Sequence, residues 1–436
     1  MIRSRARPLV SARARHRIAL ASFVVAFVAR AYWVLRVQSP LNAVYSDMGG
    51  YVSRAEMLLA GKTPGEPRIL ALWPWGTHAI VALEFAIFGR QGATGIALTH
   101  AFVGALCAPA AALITARFVK SRAAVALAGF GVALWHPHLI FSGYFSSEIW
   151  FSATIMLASL FFIRHCERRP GAIGAGIMIA IAFVVRPQIV LTSGMIGGLL
   201  FFAWMAQRSW RPRVHAVALL LPLVLTIAFS SVRLYRLSGR IGMINLYEQA
   251  QRLFGETSVG KLDAAWTAPN GERWTWWAAP HTKRPVKPQD SVKIDGFIAD
   301  PEKLAAIRAE RLRGVPWTAR AARAVDNVKL LAWRNVPWPE EDQARRFPYR
   351  VALQNAFANI LIALLALAGI GLCFVHRHRI AAMVVWTQLV TIVFVGAVYL
   401  GEARYRIPYD PFLWVAAAVG VHAIVSWILG PRARFT

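Results

Sequence analysis

Long apolar stretches separated by short basic linkers dominate the pattern of this chain. Apolar segments occupy residues 18–37, 96–118, 123–141, 147–163, 171–186, 188–206, 214–234, 353–374, 380–399 and 409–429. A helix needs about 20 apolar residues to cross a bilayer, so the pattern predicts ten transmembrane helices. One more apolar stretch, residues 75–88, would rise only about 21 Å as a helix against a hydrocarbon core of roughly 30 Å. We read it as a juxtamembrane or re-entrant helix on the outer side. A polar stretch, 235–352, divides the spans seven and three. It is turn-rich in Gly, Pro and Trp from 239 to 300, then helical in pattern at 301–313 and 318–334. The expected fold is therefore an all-α polytopic membrane protein. Residues 1–234 form a seven-span module with a first outer loop at 38–95, residues 235–352 a mixed soluble insert, and residues 353–436 a three-span module.

Composition agrees with lipid as the solvent. Of 436 residues 57% are hydrophobic and 16% charged, and mean hydropathy is +0.46. Soluble domains carry about 25% charged residues. The formal charge of +28 raises the question of nucleic acid, but the insert holds 13 of the 21 acidic and 20 of the 49 basic residues. The remaining basic excess lies in short linkers and tails, which is the signature of cytoplasmic loops. No nucleic-acid partner is expected. The linkers Arg117/Lys120/Arg122, Arg164/Arg168/Arg169 and Arg208/Arg211/Arg213 can all lie inside only if residues 75–88 do not span. Both termini then lie in the cytoplasm of a cell inner membrane. The apolar character resumes after Arg30 with Tyr32, Trp33 and Leu35, so residues 18–37 read as an uncleaved first span. Cys107, Cys166 and Cys373 imply no disulfide framework.

Acids at a membrane are costly to hold, so those outside the insert are candidates for chemistry. Asp47, Glu148, Glu402 and Asp410 stand at outer helix ends. Asp47 opens an amphipathic helix running through Tyr51 to Gly61, where it can serve as an N-cap or take a proton from an attacking hydroxyl. Glu148 follows two serines at a helix start, where the dipole favours a carboxylate. With His136 and His138 nearby it could form a divalent metal site. Residues 402–411 carry Glu402, Arg404, Tyr405 and Arg406 ahead of Pro408. An extended chain there would point Arg404 and Arg406 the same way, as a clamp for a lipid phosphate or diphosphate. Arg186, before Pro187, is the next candidate for that role, whereas Arg30 is expected to snorkel to the interface. Trp266, Trp274, Trp276, Trp277, Trp317, Trp333 and Trp338 suit either sugar stacking or interfacial anchoring.

Taken in order, these features resemble the GT-C membrane glycosyltransferases, and within them the protein mannosyltransferase and undecaprenyl-phosphate aminoarabinose transferase branch. The resemblance rests on Asp47 with Tyr51 and the helix to Gly61, Trp73-Pro74-Trp75-Gly76, the turn from Pro137 to Glu148, Arg186-Pro187, and Arg404-Tyr405-Arg406-Ile407-Pro408. Met48 stands where the mannosyltransferases carry the Glu of an Asp-Glu pair. The resemblance implies transfer of one sugar, with inversion, from a polyprenyl-phosphate donor to an acceptor hydroxyl on a lipid, glycan or protein at the outer face. Asp47 and Glu148 would be catalytic; Arg404, Arg406 and Arg186 would hold the donor phosphate; Tyr51, Glu402 and Tyr405 would contact substrate. Membrane lipids surround the whole. Two other functions share parts of this pattern. One is a lipid or glycan transporter or flippase, which would normally show repeated halves; the other is a glycan ligase or polymerase using a diphosphate-linked donor.

Overall fold

The computed structural model describes residues 10–167, 170–206, 216–280, 286–333, 350–373 and 379–429. The linker arginines at 168–169 and 208–213, Trp338, and the side chains of Trp333 and Cys373 fall outside that description. Every predicted apolar span is helical. Among the described residues, Ala12–Asn42, Ala93–Thr115, Ser147–Cys166, Val217–Ser238, Ile380–Val398 and Ala403–Ile428 are long and apolar enough to cross a membrane. Arg122–Leu134 with His136–Gly143 makes a seventh if the pair, bent by 50°, is one span. The spans expected at 171–186, 188–206 and 353–374 contain shorter apolar helices, Ala172–Val185, Ile189–Phe202 and Asn359–Gly371, as does the 75–88 stretch, Gly76–Phe88. The chain is a multi-pass helical membrane protein.

The bend after Leu134 has a local cause. Pro137 has no N–H to continue the helix, and Trp135 leaves it in extended conformation. The carbonyls released at the helix end, Val132 and Ala133, accept from Arg30 at 3.4 and 2.9 Å, and the same guanidinium meets His138 Nδ1 at 2.9 Å. Arg30 is completely buried. The expectation that it snorkels is therefore corrected: the carbonyl end of a helix is a partial negative charge, and it draws the guanidinium inward. Elsewhere small residues allow close backbone approach. Arg350–Cys373 crosses Asp410–Ile428 where Gly371 and Gly420 face each other, and a Cβ on Gly371 would lie 2.0 Å from the Ala416 carbonyl oxygen. In lipid, such packing replaces the hydrophobic force between helices.

The insert contains a sheet that its turn-rich pattern does not announce. Strands β1 (Lys261–Thr267), β2 (Arg273–Ala278) and β3 (Ser291–Asp295) lie in the order β2-β1-β3. β1 pairs antiparallel with β2, Ala264 opposite Trp276, and parallel with β3. Leu262, Ala264 and Trp266 alternate inward from β1. The helices expected next are found at Pro301–Leu312, capped by Asp300, and at Trp317–Trp333. The apolar core of the insert also takes in Ile69 and Leu72 from the loop region 38–95 and Leu400 from the segment before Ala403–Arg406. Glu66 ties the first loop to the sheet: it is fully buried and accepts from Arg68 and from Trp266 Nε1 at 2.7 Å. Burial disfavours its charge, but these hydrogen bonds outweigh that and hold its carboxyl below the usual range.

Candidate active site at the loop ends of the helices

A cavity of about 1080 Å³ lies where the first loop, the insert and the adjoining ends of the apolar helices meet. Asp47, Glu148, Arg186, Glu402, Arg404 and Tyr405 form its charged side. Asp47 lies in the first turn of the Ser46–Leu59 helix, whose N-cap is Tyr45. The capping role expected as one alternative is thus not taken by Asp47. Its Oδ2 instead accepts from Arg404 Nη1 at 2.9 Å. The preceding residue, Ser46, holds φ +49. A non-glycine residue in that left-handed region carries strain of roughly 1–3 kcal/mol, of the kind found at functional sites.

Arg404 also pairs with Glu402, Nε to Oε2 at 2.9 Å. On the other side of the site, Arg186 donates to Ser147 Oγ at 2.8 Å and forms a close ion pair with Glu148. Arg186 is the last residue before Pro187 and leaves the Ala172–Val185 helix in extended conformation, which turns its side chain back toward the start of the Ser147–Cys166 helix. The Tyr405 ring joins the two pairs, with the Arg404 and Arg186 guanidinium carbons 5.2 and 5.3 Å from its centroid.

The guanidinium that shares the Tyr405 ring with Arg404 is therefore Arg186, and the expected Arg404/Arg406 clamp is corrected. Residues 403–406 form a helical turn rather than an extended strand. Two positions apart on a helix differ by about 200°, so Arg406 points away from Arg404. Arg406 is buried, pairs with Asp410 Oδ1 at 2.8 Å and donates to the Leu331 carbonyl at 2.7 Å. Asp410 in turn accepts from Trp135 Nε1 at 2.6 Å. The expected metal set is corrected too. His138 is engaged by Arg30 and by Ser152 Oγ at 2.9 Å, His136 packs edge-on against Trp33, and Glu148 pairs with Arg186. Among the described residues no three of His, Cys, Asp and Glu gather as a metal site.

Tyr51 lies one helical turn beyond Asp47 and lines the cavity. Burial pushes its phenol up from the ordinary value, and the Asp47 and Glu148 charges add to this. Tyr247 is raised in the same way, by burial and then by Asp47. Both therefore remain protonated at neutral pH, with an O–H that is able to donate. Trp276, one of the tryptophans read as suited to sugar stacking or anchoring, also lines the cavity, as do Trp73, Tyr247 and Gln249, which were not among the residues expected there. Trp73 had a sequence cue in its Trp-Pro-Trp-Gly setting; Tyr247 and Gln249 had none.

Comparison with protein families and with curated proteins finds no match. Solved structures do match. The oligosaccharyltransferase of Archaeoglobus fulgidus in the apo form superposes with a TM-score of 0.53 at 15% identity, over 95% of this chain and 51% of that one. The chain shares the fold of the matched half of that oligosaccharyltransferase. A second structure of that GT-C glycosyltransferase, AglB in complex with an inhibitory peptide and a dolichol-phosphate, matches with a TM-score of 0.50 at 16% identity over 95% and 51% of the two chains. This chain thus spans about half the length of the proteins whose fold it matches.

Proposed function

We propose that this protein is an integral membrane glycosyltransferase that moves a single sugar from a polyprenyl-phosphate donor to an acceptor hydroxyl at the outer face of a cell membrane. The observation that carries the reading is the pairing of Asp47 with Arg404 and of Glu148 with Arg186 around Tyr405, on one cavity at the ends of apolar helices. The fold agrees with it, and the dolichol-phosphate held by AglB is a lipid phosphate of the proposed kind. The branch that fits is the one transferring from a polyprenyl monophosphate.

In this reading the phosphate draws Arg404 and Arg186 to itself as bidentate partners. Arg404 is then shared away from Asp47, whose carboxylate becomes basic enough to take the acceptor proton. The acceptor oxygen bonds to the anomeric carbon as the bond from that carbon to the phosphate oxygen breaks. Polyprenyl phosphate departs with its charge held by the two guanidinium groups, so no general acid is needed. Glu148 and Glu402 orient the arginines, and Tyr51 and Tyr405 contact the substrate.

The ten-span arrangement belongs to the same proposal, with modules at 1–234, 235–352 and 353–436 and both termini cytoplasmic. The shorter helices Ala172–Val185 and Ile189–Phe202, in tandem after Ser147–Cys166, support it. Labelling of Arg90→Cys by a membrane-impermeant thiol reagent from outside is expected; labelling from the cytoplasm alone would overturn it. The function is tested by mass spectrometry of membrane glycolipids and glycoproteins with and without the chain. Loss of one sugar unit from one glycoconjugate is expected. An unchanged glycan profile with altered transbilayer distribution of a lipid would point to a flippase instead.

A further inference from the structure

The structure sorts the insert's tryptophans into different roles. Trp266 and Trp274 stack inside the insert at 6.2 Å, and Trp277 and Trp317 are exposed. Trp276 and Trp277 both line the cavity, and the Trp276 ring also meets that of Trp73 from the first loop at 6.1 Å. Trp73 also meets Tyr247 at 5.9 Å. The three rings form one continuous aromatic wall built from the first loop and the insert, with no contribution from the spans.

The wall is held in place from behind. The Arg54 guanidinium lies 4.2 Å from the Trp73 ring centroid, donating to the Gly50 and Ile69 carbonyls at 2.8 and 3.3 Å. A Cβ on Gly50 would come within 2.9 Å of that guanidinium, so glycine is what lets it lie there. One further group faces the same cavity. Gln249, two residues beyond Tyr247, lines it, and its Oε1 is a buried acceptor with no hydrogen-bond partner among the described residues. Buried acceptors are normally satisfied, so this one marks a place for a donor.

We propose that this wall is the acceptor subsite and that it takes the pyranose ring of a glycan. The inference rests on the glycosyl-transfer reading of the same cavity and supplies the acceptor class that reading leaves open. A pyranose offers an apolar C–H face for Trp276 and Trp73 and a hydroxyl edge for Gln249 Oε1. Arg54 already occupies the attraction of the Trp73 ring for positive charge, so a neutral ring suits the wall better than a cationic peptide. The donor, whose lipid lies in the bilayer, reaches the arginines from the side of the spans, where Val190, Leu191 and Val395 line the cavity. The wall stands on the side of the insert, open to an acceptor arriving from outside.

The test uses the full chain in lipid nanodiscs and saturation-transfer NMR with cellobiose, chitobiose, mannobiose, a neutral hexapeptide, and glucose and mannose 1-phosphate. At least one disaccharide is expected to bind, and Trp276→Ala should weaken it roughly 5- to 10-fold through the lost aromatic contact. Gln249→Ala, which leaves the rings untouched, should weaken it several-fold as well, separating lost binding from lost folding. Arg404→Ala should leave disaccharide binding at the parental level while weakening the sugar 1-phosphates. Absence of disaccharide binding, disaccharide binding indifferent to both wall variants, or Trp276-dependent binding of the peptide alone would overturn the subsite. So would disaccharide binding that falls equally in Arg404→Ala, because the wall would then hold the donor's sugar. Trp276-dependent disaccharide binding by a chain that transfers no sugar would instead retain the subsite and sink the transferase reading.

Discussion

Arg404 and Arg406 sit two residues apart on one helical turn, yet each belongs to a different polar region. Arg406 is in a sealed track with Asp410, Trp135 and the Leu331 carbonyl, where it is 4% exposed. Arg404 is in an open one, where Asp47 and Glu402 share it and a cavity adjoins. In the sealed region one guanidinium meets one carboxylate and the remaining groups are carbonyls and an indole. Such an arrangement holds helices in register and offers nothing to a ligand. The open region carries Asp47, Glu148 and Glu402 against Arg404 and Arg186, so its acids outnumber its arginines. A guanidinium shared between carboxylates beside a cavity can exchange one partner for a ligand, which is the step the proposed phosphate binding uses. Ion pairs of similar length thus differ in meaning according to what lies beside them.

The sharpest way to break this contrast is Asp47→Asn, which keeps the size of the side chain and removes the base. Transfer should fall by about 10²- to 10⁴-fold with the protein inserted and folded, measured as single-sugar transfer in membranes. Near-parental transfer would leave the open region without a catalytic carboxylate. Next comes Arg406→Ala. Breaking a buried pair leaves Asp410 uncompensated, so about 3–5 kcal/mol of stability should be lost and folded yield should collapse. Thermal unfolding in detergent checks it, and a parental melting curve would erase the difference between the two regions.

Arg404→Ala should do the opposite, preserving yield while weakening donor affinity roughly 10- to 100-fold, as expected for one charge-assisted hydrogen bond of about 1.5–3 kcal/mol. Arg404→Lys should fall between, because the charge remains but the planar fork is lost. Donor titrations with acceptor saturating measure this; if both variants titrate like the parent, the phosphate is held elsewhere.

The smallest effect concerns acid. Glu66 is depressed in the folded state, so its contribution is fully present above its ordinary value of 4.5 and is lost as pH falls through the lower folded value. Stability should therefore decline on acidification below about pH 4.5. Glu66→Gln should flatten that part of the profile. An unchanged acid limb would show that the link between first loop and sheet does not depend on this charge.

Much of the site could be read along the chain. Asp47, Glu148, Arg186, Glu402 and Arg404 were all recognisable as charges at outer helix ends, because burying a charge in lipid is costly and leaves few survivors. Their pairing was not. The choice between Arg404 with Arg406 and Arg404 with Arg186 turned on whether 403–406 is extended or helical, and Pro408 favoured the wrong answer. Arg30 read as a snorkelling residue because nothing in its neighbourhood along the chain reveals the broken helix end, more than a hundred residues away, that binds it.

What the sequence determined by itself is therefore whatever depends on local composition. The apolar helices follow from transfer of side chains into lipid, which is additive and needs no partner. The helix at Pro301–Leu312 follows from Asp300 at its cap and Pro301 at its first position. Tertiary structure alone decided which charges meet, that β1–β3 form a sheet beneath the first loop, and that Trp73 and Trp276 share one wall. These are contacts between distant segments. Their strength depends on direction and on distances of a few ångströms, and one step along a helix turns a side chain by about 100°.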